Sequence, residues 1–257
     1  MIQELPYFIY KKRGHWLPSP TFPPLAYADR DGFLAAGGSF SPDVLWQAYC
    51  HGIFPWPYSE ADTIYWFAPP ERFVLYPEQL HLSHSLRRTL RKHKFELRVD
   101  TAFSKVMENC MLSPRPADEG SPNSEKTISS WIQPQMIEHY TTLHRMGIAH
   151  SIEAWLDGCL VGGLYGLNVG SIFCGESMFT IVPDATKCAF ATFAKVGFAN
   201  GIRLIDCQAR TNNMARYGAD NIPRDLFMAH LDAWKTEQID WLMLKNKIEN
   251  IPVDFWH

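Results

Sequence analysis

From Ser151 to Gln208 the apolar positions fall into runs rich in β-forming residues, broken at Asp157-Gly158 and at Val169-Gly170. Asp-Gly between two apolar runs marks a two-residue hairpin turn, whose central positions both need positive φ. The pattern therefore predicts three consecutive antiparallel strands, over 149–156, 159–168 and 171–179. The stretch DATKCAFATFAKVGFANG predicts a helix, with Asp184 at its N-cap and Gly201 just past its end. RLIDCQ then reads as a buried strand that ends in polar groups, so the predicted order is β-β-β-α-β. Side chains alternate along a strand, which places Asp206 and Gln208 on one face and Cys207 on the other. The same counting places Cys174, Glu176 and Met178 on one face of the third strand. If the two strands are neighbours, two acids and an amide converge on one pocket.

Upstream the pattern is more broken. Residues 1–30 hold Trp16, Pro18, Pro20, Phe22, Pro23 and Pro24 and predict an extended segment packed along the surface. Ser41-Pro42-Asp43 starts a helix that Gly52 ends, with Val44, Leu45, Ala48 and Tyr49 as its apolar stripe. The apolar loop Ile53-Phe54-Pro55-Trp56 is either a lid on the core or a wall of a pocket. Strands are predicted at Ile64–Trp66, Phe73–Tyr76 and Phe95–Val99, and helices from Ser83 to His93, Thr101 to Met111 and Pro134 to Met146. Residues 113–127 are polar, rich in Pro, Gly and Ser, and without hydrophobic period, as in a surface loop. Ile222-Pro223-Arg224-Asp225 opens a further helix, and the tail to His257 reads as helical. The expected division is a smaller amino-terminal domain, 1–95, and a main domain, 96–257, with the boundary somewhere in 95–130.

The chain has 257 residues and a formal net charge of −3, which speaks against coating a nucleic-acid backbone but leaves room for a local basic patch. Arg87, Arg88, Arg91, Lys92 and Lys94 form such a patch; its two readings are a solvated face and a landing site for phosphates. The six cysteines show no zinc spacing and read as free thiols of a reducing compartment. No leader-like or membrane-spanning run is visible, so cytoplasm is the expected location.

Neither a P-loop nor a dinucleotide fingerprint occurs. Gly175-Glu176-Ser177-Met178-Phe179 lacks the second glycine of a nucleophile elbow. The β-β-β-α-β order resembles the core of GNAT-type acyltransferases, but the [RQ]-x-x-G-x-[GA] loop that holds coenzyme A pyrophosphate is missing. A GNAT-like fold here implies an acyl donor other than coenzyme A.

Phe22-Pro23-Pro24, Gly32-Phe33-Leu34-Ala35 with Gly37-Gly38, AYCHGIFPW, GGLYG, FCGESMF and LIDCQ, in this order over residues 20–231, resemble the leucyl/phenylalanyl-tRNA–protein transferases. The resemblance implies an α+β protein, with a GNAT-like carboxy-terminal domain and a smaller α/β amino-terminal domain. It implies a ligase that moves Leu, Phe and, less well, Met from aminoacyl-tRNA to the α-amino group of proteins beginning with Arg or Lys; with no heptad or interface stripe in the sequence, a monomer is expected. By position, Asp206 and Gln208 fall on the proposed catalytic pair and Glu176 on the acidic pocket residue. Tyr49, Trp56, Trp131, Tyr140, Phe173 and Met178 fall on positions lining the aminoacyl and adenosine pocket, which moves the 53–56 loop toward a pocket wall. Arg87, Arg88, Arg91 and Lys92 then become contacts for acceptor-stem phosphates, indifferent to sequence and weakened by salt.

The chemistry fits. An ester donor and an amide product need no ATP, metal, coenzyme or other cofactor. The attacking amine, of ordinary pKa ~7.7–8.0, must be neutral. A carboxylate that takes its proton contributes ~10²–10⁴-fold, and that role is assigned to Asp206. Gln208 either accepts from the amine or steadies the ester oxygen, and Glu176 pairs with the cationic acceptor. The alternative for each acid is a structural one. The sequence departs from the family at Gly37-Gly38-Ser39-Phe40, at Tyr65–Arg72, at Ser129-Ser130, at Leu164 where Met is common, and at Thr211 where Asn is usual. Two rival functions are a GNAT-type small-molecule acyltransferase and a non-catalytic reader of charged tRNA or basic amino termini.

Overall fold

The computed structural model describes residues 7–56, 63–113 and 132–256, and shows an α+β protein built on two sheets. The extended segment expected over 1–30 is a hairpin: β1 (Phe8–Lys12) and β2 (His15–Ser19) turn at Arg13-Gly14, both at positive φ. Next come β3 (Phe33–Gly37), α1 (Pro42–Cys50), β4 (Phe54–Pro55) and β5 (Tyr65–Phe67). These strands form a five-stranded sheet in the order β2-β1-β3-β5-β4. The 53–56 stretch is thus partly strand, with Ile53 and Phe54 buried. Pro42 stands in the first turn of α1 with Asp43, yet Ser41 makes no side-chain capping bond, being engaged by the Ser39 hydroxyl.

After Phe67 the chain leaves the small sheet and enters the large one at β6 (Glu71–Leu75). Then follow α2 (His84–Leu90), β7 (Glu96–Val99), α3 (Phe103–Leu112) and α4 (Pro134–Arg145). The Ser83 hydroxyl caps α2 by accepting from Leu86 N at 3.2 Å, but the helix stops at Leu90 and only turns continue toward His93. The three strands expected from turn chemistry are β8 (Ala149–Leu156), β9 (Cys159–Val169) and β10 (Ile172–Thr180). Asp157 and Gly158 both take positive φ between the first two. Then come α5 (Ala185–Phe198), β11 (Leu204–Asp206), α6 (Asn212–Ala215), β12 (Asp220–Pro223), α7 (Arg224–Trp234) and α8 (Trp241–Glu249). Asp184 precedes α5 in a left-handed conformation and pairs with Lys187 at 2.8 Å instead of capping the helix.

The large sheet runs β12-β6-β11-β10-β9-β8-β7, antiparallel throughout except for the parallel pair β10–β11. One face carries α5, α2 and α8 over Phe73, Leu75 and Phe173, with Phe193 of α5 packed among them. The other is covered by α1, α3, α4, α7 and the small sheet, around Trp66, Tyr49, Tyr140 and Tyr165. α5 lies close on β9 because Gly162 has no side chain: a Cβ there would stand 2.7 Å from that of Ala185. Among the described residues no helix is long and apolar enough to cross a membrane.

Candidate active site

β10 and β11 are neighbours, with Cys174 directly beside Asp206. A β-bulge interrupts β10 between Gly175 and Ser177 and gives Glu176 the extra position. An extra residue reverses the alternation beyond it. Met178 therefore joins Phe173 on the α5 face, while Cys174 packs with the opposite core, so the shared face expected for Cys174, Glu176 and Met178 does not hold. Glu176 itself reaches the side of α1 and α4. Tyr49 Oη donates to its Oε1 at 2.7 Å, and Gln208 Nε2 to the same oxygen at 2.6 Å. Tyr140 Oη donates to Oε2 at 3.4 Å, and the two tyrosine hydroxyls are 2.8 Å apart. Burial pushes the Glu176 carboxyl up to about 7; the Tyr49, Gln208 and Tyr140 hydrogen bonds hold it back, and the charge of Asp206 adds to the rise. Burial and the adjacent Glu176 charge raise both tyrosines well above their usual range, so they stay donors.

Asp206 is fully buried, and Arg72 occupies both of its oxygens: Nε donates to Oδ1 and Nη2 to Oδ2, each at 2.7 Å. Oδ1 also accepts from Gln208 N at 2.9 Å. Arg72 Nη1 donates to Gly52 O at 3.0 Å, and its guanidinium lies 4.6 Å from the rings of Phe54 and Phe227 alike. The carboxylate to which the sequence assigns a base role is thus enclosed by an ion pair, whereas Glu176 stands at the cavity.

That cavity, of about 460 Å³, opens between β10, β11 and α5. Phe173, Met178, Phe190, Ile205 and Met214 line it with Leu164, and Glu176 forms part of its wall. Thr211 caps α6 by accepting from Met214 N at 3.2 Å, and Asn213 donates to the Met178 sulfur at 3.2 Å, so both shape this wall. Trp56 sits half-exposed at the end of β4, its ring 6.3 Å from that of Phe54, away from the cavity lining. Trp131 and most of the 113–127 loop lie outside the described residues. Arg87, Arg88, Arg91 and Lys92 are all exposed on α2 and the turn after it. Two are tethered by backbone oxygens: Arg87 to Leu82 at 3.1 Å and Arg91 to Trp256 at 2.9 Å. α2 packs on α5, the helix that brings Phe190 to the cavity. Among the described residues no group of three or more His, Cys, Asp or Glu is placed to hold a metal ion. Sequence reasoning passes over Arg72 as a site residue, since nothing local marks a partner 134 positions away.

A profile described as "Leucyl/phenylalanyl-tRNA protein transferase" matches residues 74–232, and one for the amino-terminal domain of the same proteins matches 38–70. The chain belongs to the leucyl/phenylalanyl-tRNA protein transferase family. It is 48% identical to the transferase of that name from Myxococcus xanthus over 210 residues, 82% of this chain and 86% of that one. Identity with the Dechloromonas aromatica transferase is 43% over 235 residues, 87% and 96% of the two chains. A solved GCN5-related N-acetyltransferase-like protein from Streptococcus suis overlaps at a TM-score of 0.28 and 12% identity, across 70% of this chain and 63% of that one. The gap between the two matched segments of this chain, residues 71–73, falls at the start of β6 of the large sheet.

Proposed function

We propose that this chain transfers leucine, phenylalanine and, less well, methionine from aminoacyl-tRNA to the α-amino group of proteins that begin with Arg or Lys. Family membership supports an aminoacyltransferase that uses aminoacyl-tRNA and a protein acceptor. The observation that carries the mechanism is Glu176, which forms part of the wall of an apolar cavity of about 460 Å³ and whose carboxyl, at about 7, is held by Tyr49, Gln208 and Tyr140. The donor's side chain fills the cavity, where each methylene is worth ~1–3 kcal/mol, so discrimination among large apolar donors is graded.

The amine nitrogen attacks the ester carbonyl carbon, the bond to the terminal ribose oxygen breaks, and that oxygen leaves as a hydroxyl. Glu176 takes the proton that the amine sheds and returns it to the leaving ribose oxygen, so no net proton is released. Its Oε1 already accepts two short hydrogen bonds and Oε2 one long one, so Oε2 is the oxygen open to the amine. A base near 7 is matched to an α-amino group of ~7.7–8.0, contributing ~10²–10⁴-fold. Asp206 acts at one remove, holding the backbone of Gln208, whose amide fixes Glu176. Trp56 offers a ring for the terminal adenine, where stacking is worth ~1–3 kcal/mol. Arg87, Arg88, Arg91 and Lys92 hold acceptor-stem phosphates, and the protein acts as a cytoplasmic monomer.

Transfer of labelled leucine from Leu-tRNA to peptides that differ only in their first residue tests the reading. Labelling of Arg- and Lys-peptides, with little of an Ala-peptide, is the expected outcome. Equal labelling of all three, or none by a folded protein, overturns it.

A further inference from the structure

We infer that Arg72 is a positioning residue of this site, setting the two donors, Tyr49 and Gln208, that aim the carboxyl of Glu176. Its effect on turnover rests on the reading of Glu176 as the base; its effect on geometry does not. The guanidinium has two arms. Through Nε and Nη2 it grips Asp206, whose Oδ1 holds Gln208 N at 2.9 Å. Gln208 has a φ of +60, a left-handed conformation that a non-glycine residue keeps only when its surroundings fix it. That conformation delivers Gln208 Nε2 to Glu176 Oε1 at 2.6 Å. Through Nη1 the same group grips Gly52 O at 3.0 Å. Gly52 closes the end of α1, its N–H bonded to Tyr49 O at 3.1 Å, and Tyr49 Oη meets Glu176 Oε1 at 2.7 Å. One planar cation therefore sets both short hydrogen bonds to Glu176 from strands and helices far apart in sequence.

A buried ion pair is weak evidence for stability, because desolvation consumes most of the attraction. What a guanidinium adds over other residues is direction: a rigid fork with donors on three sides. Here Phe54 of β4 and Phe227 of α7 each place a ring 4.6 Å from that fork, so it is held by the small sheet and by a helix that follows the large one. The charged and titratable groups facing Glu176 are Tyr49 on α1, Tyr140 on α4, Cys174 on β10, and Asp206 on β11 with Arg72 behind it. Hydrogen bonds from Tyr49 and Gln208 lower Glu176, so losing their aim raises it.

The test uses the full-length protein with Arg72→Lys, which keeps the charge but not the fork, and with Arg72→Gln/Asp206→Asn, which leaves no lone buried charge. Carboxyl carbon-13 NMR follows the ionisation of Glu176, its resonance assigned by its absence in Glu176→Gln. In Arg72→Lys, which leaves the Asp206 charge in place, the Glu176 titration is expected to move up by about half a pH unit or more; the double variant also loses the Asp206 charge that raises Glu176, so it is read through turnover. In both variants kcat falls about tenfold or more while KM for Leu-tRNA changes by less than about threefold. A folded Arg72→Lys variant whose Glu176 titrates as in the wild type overturns the inference, whatever its activity; where that variant does not fold, a folded double variant with undiminished kcat overturns it. A displaced titration with undiminished kcat keeps Arg72 as the positioning residue and removes Glu176 as the base.

Discussion

Glu176 shows how one carboxyl gains its character from its surroundings. An ordinary glutamate titrates near 4.5, and this one is pushed up to about 7. Between those values the folded chain keeps a proton that the unfolded chain has released, so stability falls as pH rises through this window and stays lower above it. Glu176→Gln removes that penalty: the variant should melt higher than the wild type at pH 8, with the gain vanishing toward pH 4. Thermal melts at the two pH values measure it. Asp206 behaves in the opposite sense. Asp206→Asn leaves Arg72 charged and unpaired in a fully buried place, at a cost of about 3–5 kcal/mol in urea unfolding. The sequence singles out both acids, through strand alternation and family resemblance, and puts Asp206 first as the base without showing what encloses it. The enclosing group is Arg72, and an ion pair between distant residues leaves no local pattern.

At the scale of elements, β8 to β10 and α5 are legible because turns and helix ends have residue requirements of their own: Asp157-Gly158 and Gly201 announce them. The bulge in β10 is marked too, by Gly175 inside a strand, a signal that strict alternation overrides. Missing it exchanges the faces of everything beyond, which is why counting by twos groups Met178 with Cys174. β4 and β12 are not legible, because each is short and owes its pairing to a strand elsewhere in the chain. The packing of α5 on β9 gives a further prediction. Gly162→Val places atoms where Ala185 Cβ and Thr186 N stand, at 2.7 and 2.8 Å from the first added carbon. Overpacking of this kind costs about 1–3 kcal/mol, and chemical denaturation should show it without a change in m-value.

On the scale of the whole molecule, the two sheets share one apolar cluster, and the site lies where they meet: Tyr49 and Phe54 come from the small-sheet side, Glu176 and Asp206 from the large sheet. The order β-β-β-α-β is readable from turns alone; the assembly around it is not, since β6, β11 and β12 pair across long sequence separations. The exposed cations of α2 and its following turn belong to this scale as well. If they hold acceptor-stem phosphates, Arg88→Ala with Lys92→Ala should weaken tRNA binding and reduce the log–log salt slope by roughly one for each phosphate left unneutralised. Filter binding across a salt series reads this directly. An unchanged slope returns them to the role of a solvated face.

The most direct test of the account is the pH profile of single-turnover leucine transfer from Leu-tRNA to an Arg-initiated peptide, wild type against Glu176→Gln. The account predicts a wild-type rate that rises through an inflection near 7 as Glu176 loses its proton. It predicts a variant slower by ~10²-fold or more with that inflection gone. A folded Glu176→Gln protein that keeps both the rate and the inflection would contradict it.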